Sequence, residues 1–125
     1  GFMKPVVVVV EDENMLLGLM EEVLEGEGFQ VHTFGTADQA WEYLSSARPT
    51  PDLLITDVRM PGVIDCLELA RRVKQQLPGL PIIVSSGYFE ELQPERAPDI
   101  YYLPKPWRFD DLLAGCFRFL NQRKG

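Results

Sequence analysis

Five consecutive valines, Val6 to Val10, run directly into Glu11, Asp12 and Glu13. A β-branched run with no polar alternation makes a strand that is covered on both faces, which belongs in a parallel sheet between layers of helix. Three adjacent carboxylates repel each other and gain nothing from apolar neighbours. Their place at the end of such a strand calls for a positive partner.

The rest of the chain repeats the alternation. Apolar runs that suit buried strands recur at 30–34 (QVHTF), 52–56 (DLLIT), 81–85 (PIIVS) and 100–103 (IYYL). Between them lie stripes of helical spacing. In 14–27 the stripe is Leu16, Leu17, Met20, Val23 and Leu24, and in 36–46 it is Ala37, Ala40, Trp41 and Leu44. In 65–77 it is Leu69, Ala70, Val73 and Leu77; in 109–122 it is Phe109, Leu112, Leu113, Cys116, Phe117 and Leu120. Thr36 with Gln39 and Asp65 with Glu68 read as N-caps with their capping-box partners, while Gly28 and Gly79 follow helices where a left-handed residue is needed. Only GYFEELQPERAPD breaks the pattern: Pro94 and Pro98 leave room for a short or irregular helix over 88–93.

Right-handed crossovers between parallel strands leave few topologies, and the flavodoxin-like order 2-1-3-4-5 with helices on both faces is the expected one. Ligands of such sheets sit beyond the carboxyl ends of the strands, at the switch point between strands one and three. Glu11 and Asp12 follow the first strand, Asp57 the third, Ser86 the fourth and Lys105 the fifth, so they converge on one end of the sheet. Hard carboxylate oxygens without His or Cys select Mg²⁺ or a similar ion. With the ammonium of Lys105 the set makes a site for a dianionic phosphoryl group.

Composition narrows the class. A chain of 125 residues, 46% hydrophobic and 25% charged, is read as one domain spanning 1–125, with Gly1 and Phe2 before Met3 as an expression remnant. Its formal net charge of -7 argues against direct contact with nucleic acid or an anionic membrane. No apolar run reaches the roughly 18 residues of a membrane span, and the start lacks signal-peptide character, so the expected location is the cytoplasm. Two cysteines and one histidine make neither a disulfide framework nor a zinc site; Cys66 and Cys116 read as packing thiols on apolar helix faces. His32 is placed near the surface of the second strand, Trp41 in the core, and Trp107 close enough to Lys105 to report on the site.

Taken singly, each candidate has a plainer role. The acids would start a helix, Asp57 and Ser86 would serve turns, Lys105 would lie in an exposed loop, and Tyr102 would be a half-buried strand aromatic. Their joint placement at one sheet end favours a site. The chain resembles a receiver domain of the two-component response regulators (CheY-like) over nearly its whole length. The resemblance rests on Glu11–Asp12, on Asp57 in LLITDVRMPG, on Ser86 in IIVSSG and on Lys105 in YYLPKPW. DxxMPG and a later KP, each ending an apolar strand, carry most of it. One departure is PGVIDCLEL, where Cys66 stands in place of a glycine and is expected to alter a loop rather than the chemistry.

The resemblance implies that Asp57 accepts a phosphoryl group from the phosphohistidine of a histidine kinase or phosphotransfer protein. It implies that Mg²⁺ is held by Asp12, Asp57 and the backbone carbonyl of Arg59, with Glu11 acting through water. It also implies a cis Lys105–Pro106 bond aiming the lysine into the cleft, a switch pair of Ser86 and Tyr102, and a tuning role for Arg59 and Tyr88 in phosphoryl lifetime. Such a domain assists its own phosphotransfer and dephosphorylation without being an enzyme in the usual sense, and weak homodimerisation is compatible with it. With 88–99 weak in helix, output is expected to rely on the first helix, the fifth strand or the last helix. Three alternatives are a receiver-like interaction module that takes no phosphate, a haloacid dehalogenase-type phosphatase and a flavodoxin-like cofactor binder. The phosphatase requires an acid where Arg59 stands; the cofactor binder requires Ser, Thr and Gly where EDEN stands.

Overall fold

A computed structural model describes residues 4–46, 50–57, 66–86 and 100–122. The elements run β1 (Val6–Val10), α1 (Asn14–Gly26), β2 (Gln30–Phe34), α2 (Ala37–Ser46), β3 (Leu53–Asp57), α3 (Cys66–Gln76), β4 (Ile82–Ser86), β5 (Ile100–Pro104) and α4 (Phe109–Gln122). The five strands form one sheet ordered β2-β1-β3-β4-β5, and every pairing is parallel. This is the flavodoxin-like order that the strand spacing predicts. The short helix expected over 88–93 lies outside the described residues.

Strand periodicity divides the core in two. Val8, Val10, Leu54, Ile82 and Val84 face α2 and α3, where Ala40, Leu44, Leu69 and Val73 cover them. Val7, Val9, Leu53, Ile55, Ile83 and Leu103 face the opposite way, toward Met20, Leu24, Leu112 and Cys116 of α1 and α4. Successive side chains of each strand therefore feed opposite layers, as the unalternating apolar runs require.

Local signals act as their chemistry demands. Thr36 Oγ1 accepts the Gln39 backbone N–H at 3.1 Å, capping α2. Gly28 and Gly79 take φ values of 93° and 96°, a conformation that costs a side-chain-bearing residue. The partner cap Asp65 lies outside the described residues.

Some details differ from the sequence expectation. β3 and β4 each begin and end one residue later, so Asp57 and Ser86 are the last residues of their strands rather than the first beyond them. Pro81 has no N–H to give to a ladder, and Asp52 Oδ2 is occupied in accepting the Val6 N–H at 2.8 Å. In α4 the buried aromatic is Phe119, whereas Phe117, expected on the core stripe, is 36% exposed and leans on Phe29 at 5.8 Å between ring centroids. Trp41 is half-buried at the margin of its layer, under the guanidinium of Arg72. His32 lies half-buried on edge strand β2 beside Tyr43.

Gly115 of α4 has a packing role. A Cβ there would lie 3.2 Å from both Ile83 Cδ1 and Tyr101 Cε2. Gly115→Leu is expected to lose about 2 kcal/mol through overpacking. Gly115→Ala is expected to be close to neutral, because a helix-propensity gain of roughly 1 kcal/mol offsets a small shift of the Tyr101 ring. Urea unfolding of the two variants measures both.

Candidate functional site

The site is built where strands end. The Glu11 backbone N–H donates to the Phe34 carbonyl at 3.0 Å, carrying the ladder one residue past β1. Alternation from Val7 and Val9 then sends the Glu11 side chain to the α1/α4 side of the sheet, and alternation from Leu53 and Ile55 does the same for Asp57. Both carboxylates are buried, at 3% and 7% exposure, while Asp12 is exposed at the mouth. One carboxylate oxygen from each of the three lies within 4.8 Å of the others.

Lys105 follows β5 and belongs to the same face, two residues beyond Leu103. Its Nζ donates to Asp57 Oδ2 at 2.6 Å, reaching across β4 to do so. The Lys105–Pro106 bond is cis. The cation that the acidic cluster calls for is thus supplied in part by the protein itself.

Electrostatics follow from crowding. Glu11 is pushed up to about 7 from 4.5, first by burial and further by the nearby Asp57 carboxylate, against the Glu13 backbone N–H that donates to Glu11 Oε2 at 3.0 Å. For Lys105 burial works against the charged form, yet the hydrogen bond and charge of Asp57, with Glu11 and Glu13, outweigh it and raise the group. Because folded Glu11 holds its proton up to a higher pH than the unfolded chain does, its contribution to stability is full below about 4.5 and lost as pH rises through about 7. In the absence of divalent metal, the urea midpoint is therefore expected to fall between pH 5 and pH 7.5. Glu11→Gln is expected to flatten that slope, and an unchanged slope in the variant would refute the assignment.

Three hard oxygen donors converge on one point with no nitrogen or sulfur ligand among them, a donor set that fits Mg²⁺ and not zinc. The structure brings together Glu11, Asp12, Asp57 and Lys105 as the sequence suggests. Tyr102 instead packs in the α2/α3 layer, opposite Val84, on the other face of the sheet. Ser86 ends β4 opposite Pro104; its side chain, like Arg59 and Tyr88, lies outside the described residues. One contact was not legible in the sequence: the Trp107 indole N–H donates to Ser85 Oγ at 2.7 Å. Two serines stand side by side in IIVSSG, and nothing in the sequence distinguishes the one that meets the tryptophan.

The family model of the response regulator receiver domain matches residues 7–116. The chain belongs to the response regulator receiver family. Among curated relatives, this receiver is 35% identical over 115 residues to the DNA-binding transcriptional regulator NtrC of Escherichia coli K12, covering 87% of this chain and 23% of that one. It is 38% identical over 129 residues to the phosphate regulon transcriptional regulatory protein PhoB of Rhizobium meliloti, covering 98% of this chain and 55% of that one. The receiver thus spans about a quarter to a half of the length of these relatives. Among solved structures, a response regulator receiver protein of Sinorhizobium medicae superposes with a TM-score of 0.89 at 28% identity, over 98% of this chain and 99% of the other. The response regulator TrrA of Thermotoga maritima, solved in complex with Mg(2+)-BeF, gives a TM-score of 0.82 at 28% identity, over 94% and 99%. No helix among the described residues of the receiver is long and apolar enough to cross a membrane.

Proposed function

We propose that this receiver, read as residues 1–125, is a phosphorylation-dependent switch that takes a phosphoryl group onto Asp57 from the phosphohistidine of a histidine kinase or histidine phosphotransfer protein. One observation carries the reading: a buried carboxylate, Asp57, ends the central strand between two further acids and a lysine ammonium 2.6 Å away. Glu11, Asp12, Asp57 and the backbone carbonyl of Arg59 would hold Mg²⁺, which supplies charge neutralisation for the phosphoryl oxygens. The Mg(2+)-BeF complex of a structural neighbour supports that cofactor.

The chemistry assigned to the side chains is nucleophilic. An Asp57 carboxylate oxygen bonds to phosphorus as the phosphorus–nitrogen bond to the donor imidazole breaks, and the imidazole leaves with a proton. Such transfers depend mainly on positioning and charge neutralisation, which is the part of Lys105. Its ammonium, now bound to Asp57, would turn to the incoming phosphoryl oxygens. Ser86 would donate a hydrogen bond to the new phosphoryl group, and Tyr102 would follow it inward, changing the surface around β5 and α4. Later attack of water on phosphorus returns Asp57 and inorganic phosphate.

The acidic domain itself, at a net charge of -7, would act through protein surfaces and not on DNA. Its place is the cytoplasm, and any DNA-binding activity like that of NtrC or PhoB would belong to sequence beyond these residues. Incubation with acetyl phosphate and Mg²⁺ should add one phosphoryl group to the intact mass, and EDTA should prevent it. No gain from acetyl phosphate or from a phosphohistidine donor would leave an interaction module that takes no phosphate.

A further inference from the structure

We propose that the Trp107 indole and the Ser85 hydroxyl are a positioning pair that holds Lys105 against Asp57 for phosphoryl transfer. The inference rests on the phosphoacceptor reading of Asp57. It starts from the turn that carries the lysine. Lys105 stands between Pro104 and Pro106, neither of which has a backbone N–H to donate, and it follows β5, an edge strand with one neighbour. A long flexible side chain on such a turn has many conformations, and many of them do not reach Asp57.

Trp107 removes that freedom from two residues away. Its indole N–H donates to Ser85 Oγ at 2.7 Å, and Ser85 is buried at 4% exposure. Ser85 pairs in register with Asp57 on one side and with Leu103 on the other. The tryptophan is therefore anchored on the residue that stands between the nucleophile's strand and the lysine's strand. The ring is half-buried against the α1/α4 layer and meets Phe109 edge-on at 5.6 Å. Trp107 thus fixes both the height and the direction of the turn bearing Lys105, and the bond also satisfies a buried hydroxyl.

A positioning role through Lys105 makes a prediction that a merely structural role does not. Initial rates of phosphoryl mass gain from acetyl phosphate with saturating Mg²⁺ would be compared for the wild type, Trp107→Phe, Lys105→Ala and the double variant, with thermal melts alongside. Because a small misplacement of a catalytic group is costly, Trp107→Phe is expected to slow the reaction about fivefold to tenfold, yet to change it less than about twofold once Lys105 is alanine. Ser85→Ala leaves the indole packed and is expected to repeat this pattern, so a poorly folding Trp107 variant does not decide the matter. Equal slowing in both backgrounds overturns the proposal, as does no slowing in the wild-type background. A wild type that gains no mass from acetyl phosphate or from a phosphohistidine donor overturns the phosphoacceptor reading itself and this pair with it.

Discussion

Asp57→Asn is expected to abolish the gain of one phosphoryl group from acetyl phosphate, a loss of at least about 100-fold, while the fold is retained. The amide lacks the nucleophilic carboxylate oxygen, and no neighbouring acid replaces it in place. Glu11 follows the outermost buried residue of β1 and Asp12 is exposed at the mouth, whereas Asp57 ends the central strand and accepts the lysine's hydrogen bond. The variant also probes the crowding. Removing the Asp57 charge takes away one cause of the raised Glu11 but leaves burial, the larger one. The fall in urea midpoint between pH 5 and pH 7.5 is therefore expected to shrink and not to vanish. A mass gain that survives in Asp57→Asn would move the phosphoacceptor elsewhere.

Leu54→Ala is expected to be the most destabilising single truncation, at about 3 to 4 kcal/mol, with a fall in Tm of roughly 10 °C. Leu54 is fully buried in β3, the central strand of the sheet, paired with Val8 of β1 and Ile82 of β4, and it faces the layer formed by α2 and α3. The surrounding strands are fixed by their ladders and cannot close on the cavity. Loss of that size takes a large share of the total stability of an ordinary domain. Leu19→Ala, at an α1 position 45% exposed, is expected to change stability by less than about 0.5 kcal/mol. Urea unfolding of both variants under one buffer provides the comparison, and comparable losses would contradict the burial assigned to Leu54.

Much of this is legible in the sequence alone. Five apolar runs dictate the parallel sheet, and four of them lead into a polar residue with chemistry, which sets the end at which Glu11, Asp12, Asp57 and Lys105 meet, because topology alone brings strand ends together. Helix punctuation at Thr36, Gly28 and Gly79 is local and therefore visible in sequence. What was not visible depends on matters that no short window contains. The choice of Phe119 over Phe117 as the buried aromatic is set by how α4 rolls on the sheet, since both lie close to the same apolar stripe. The Trp107–Ser85 bond joins residues 22 positions apart, and it exists because β4 and β5 pair in one register and the turn after β5 folds back. One-residue shifts at the starts of β3 and β4 follow from the chemistry of Asp52 and Pro81, which an apolar run does not express.

The sheet order has a kinetic consequence. Asp57 ends β3, which has a strand on each side, whereas Lys105 extends β5, which has a strand on one side only. Amide hydrogen exchange of β3 should then report opening close to that of the whole domain, and exchange of β5 a smaller, local opening. Asp57 would then be carried by the part of the molecule that opens last, and its lysine partner by a part that can come away alone. A brief detachment of the edge would carry Lys105 away from Asp57 and open the two buried carboxylates, Glu11 and Asp57, to solvent while the central strands stay paired.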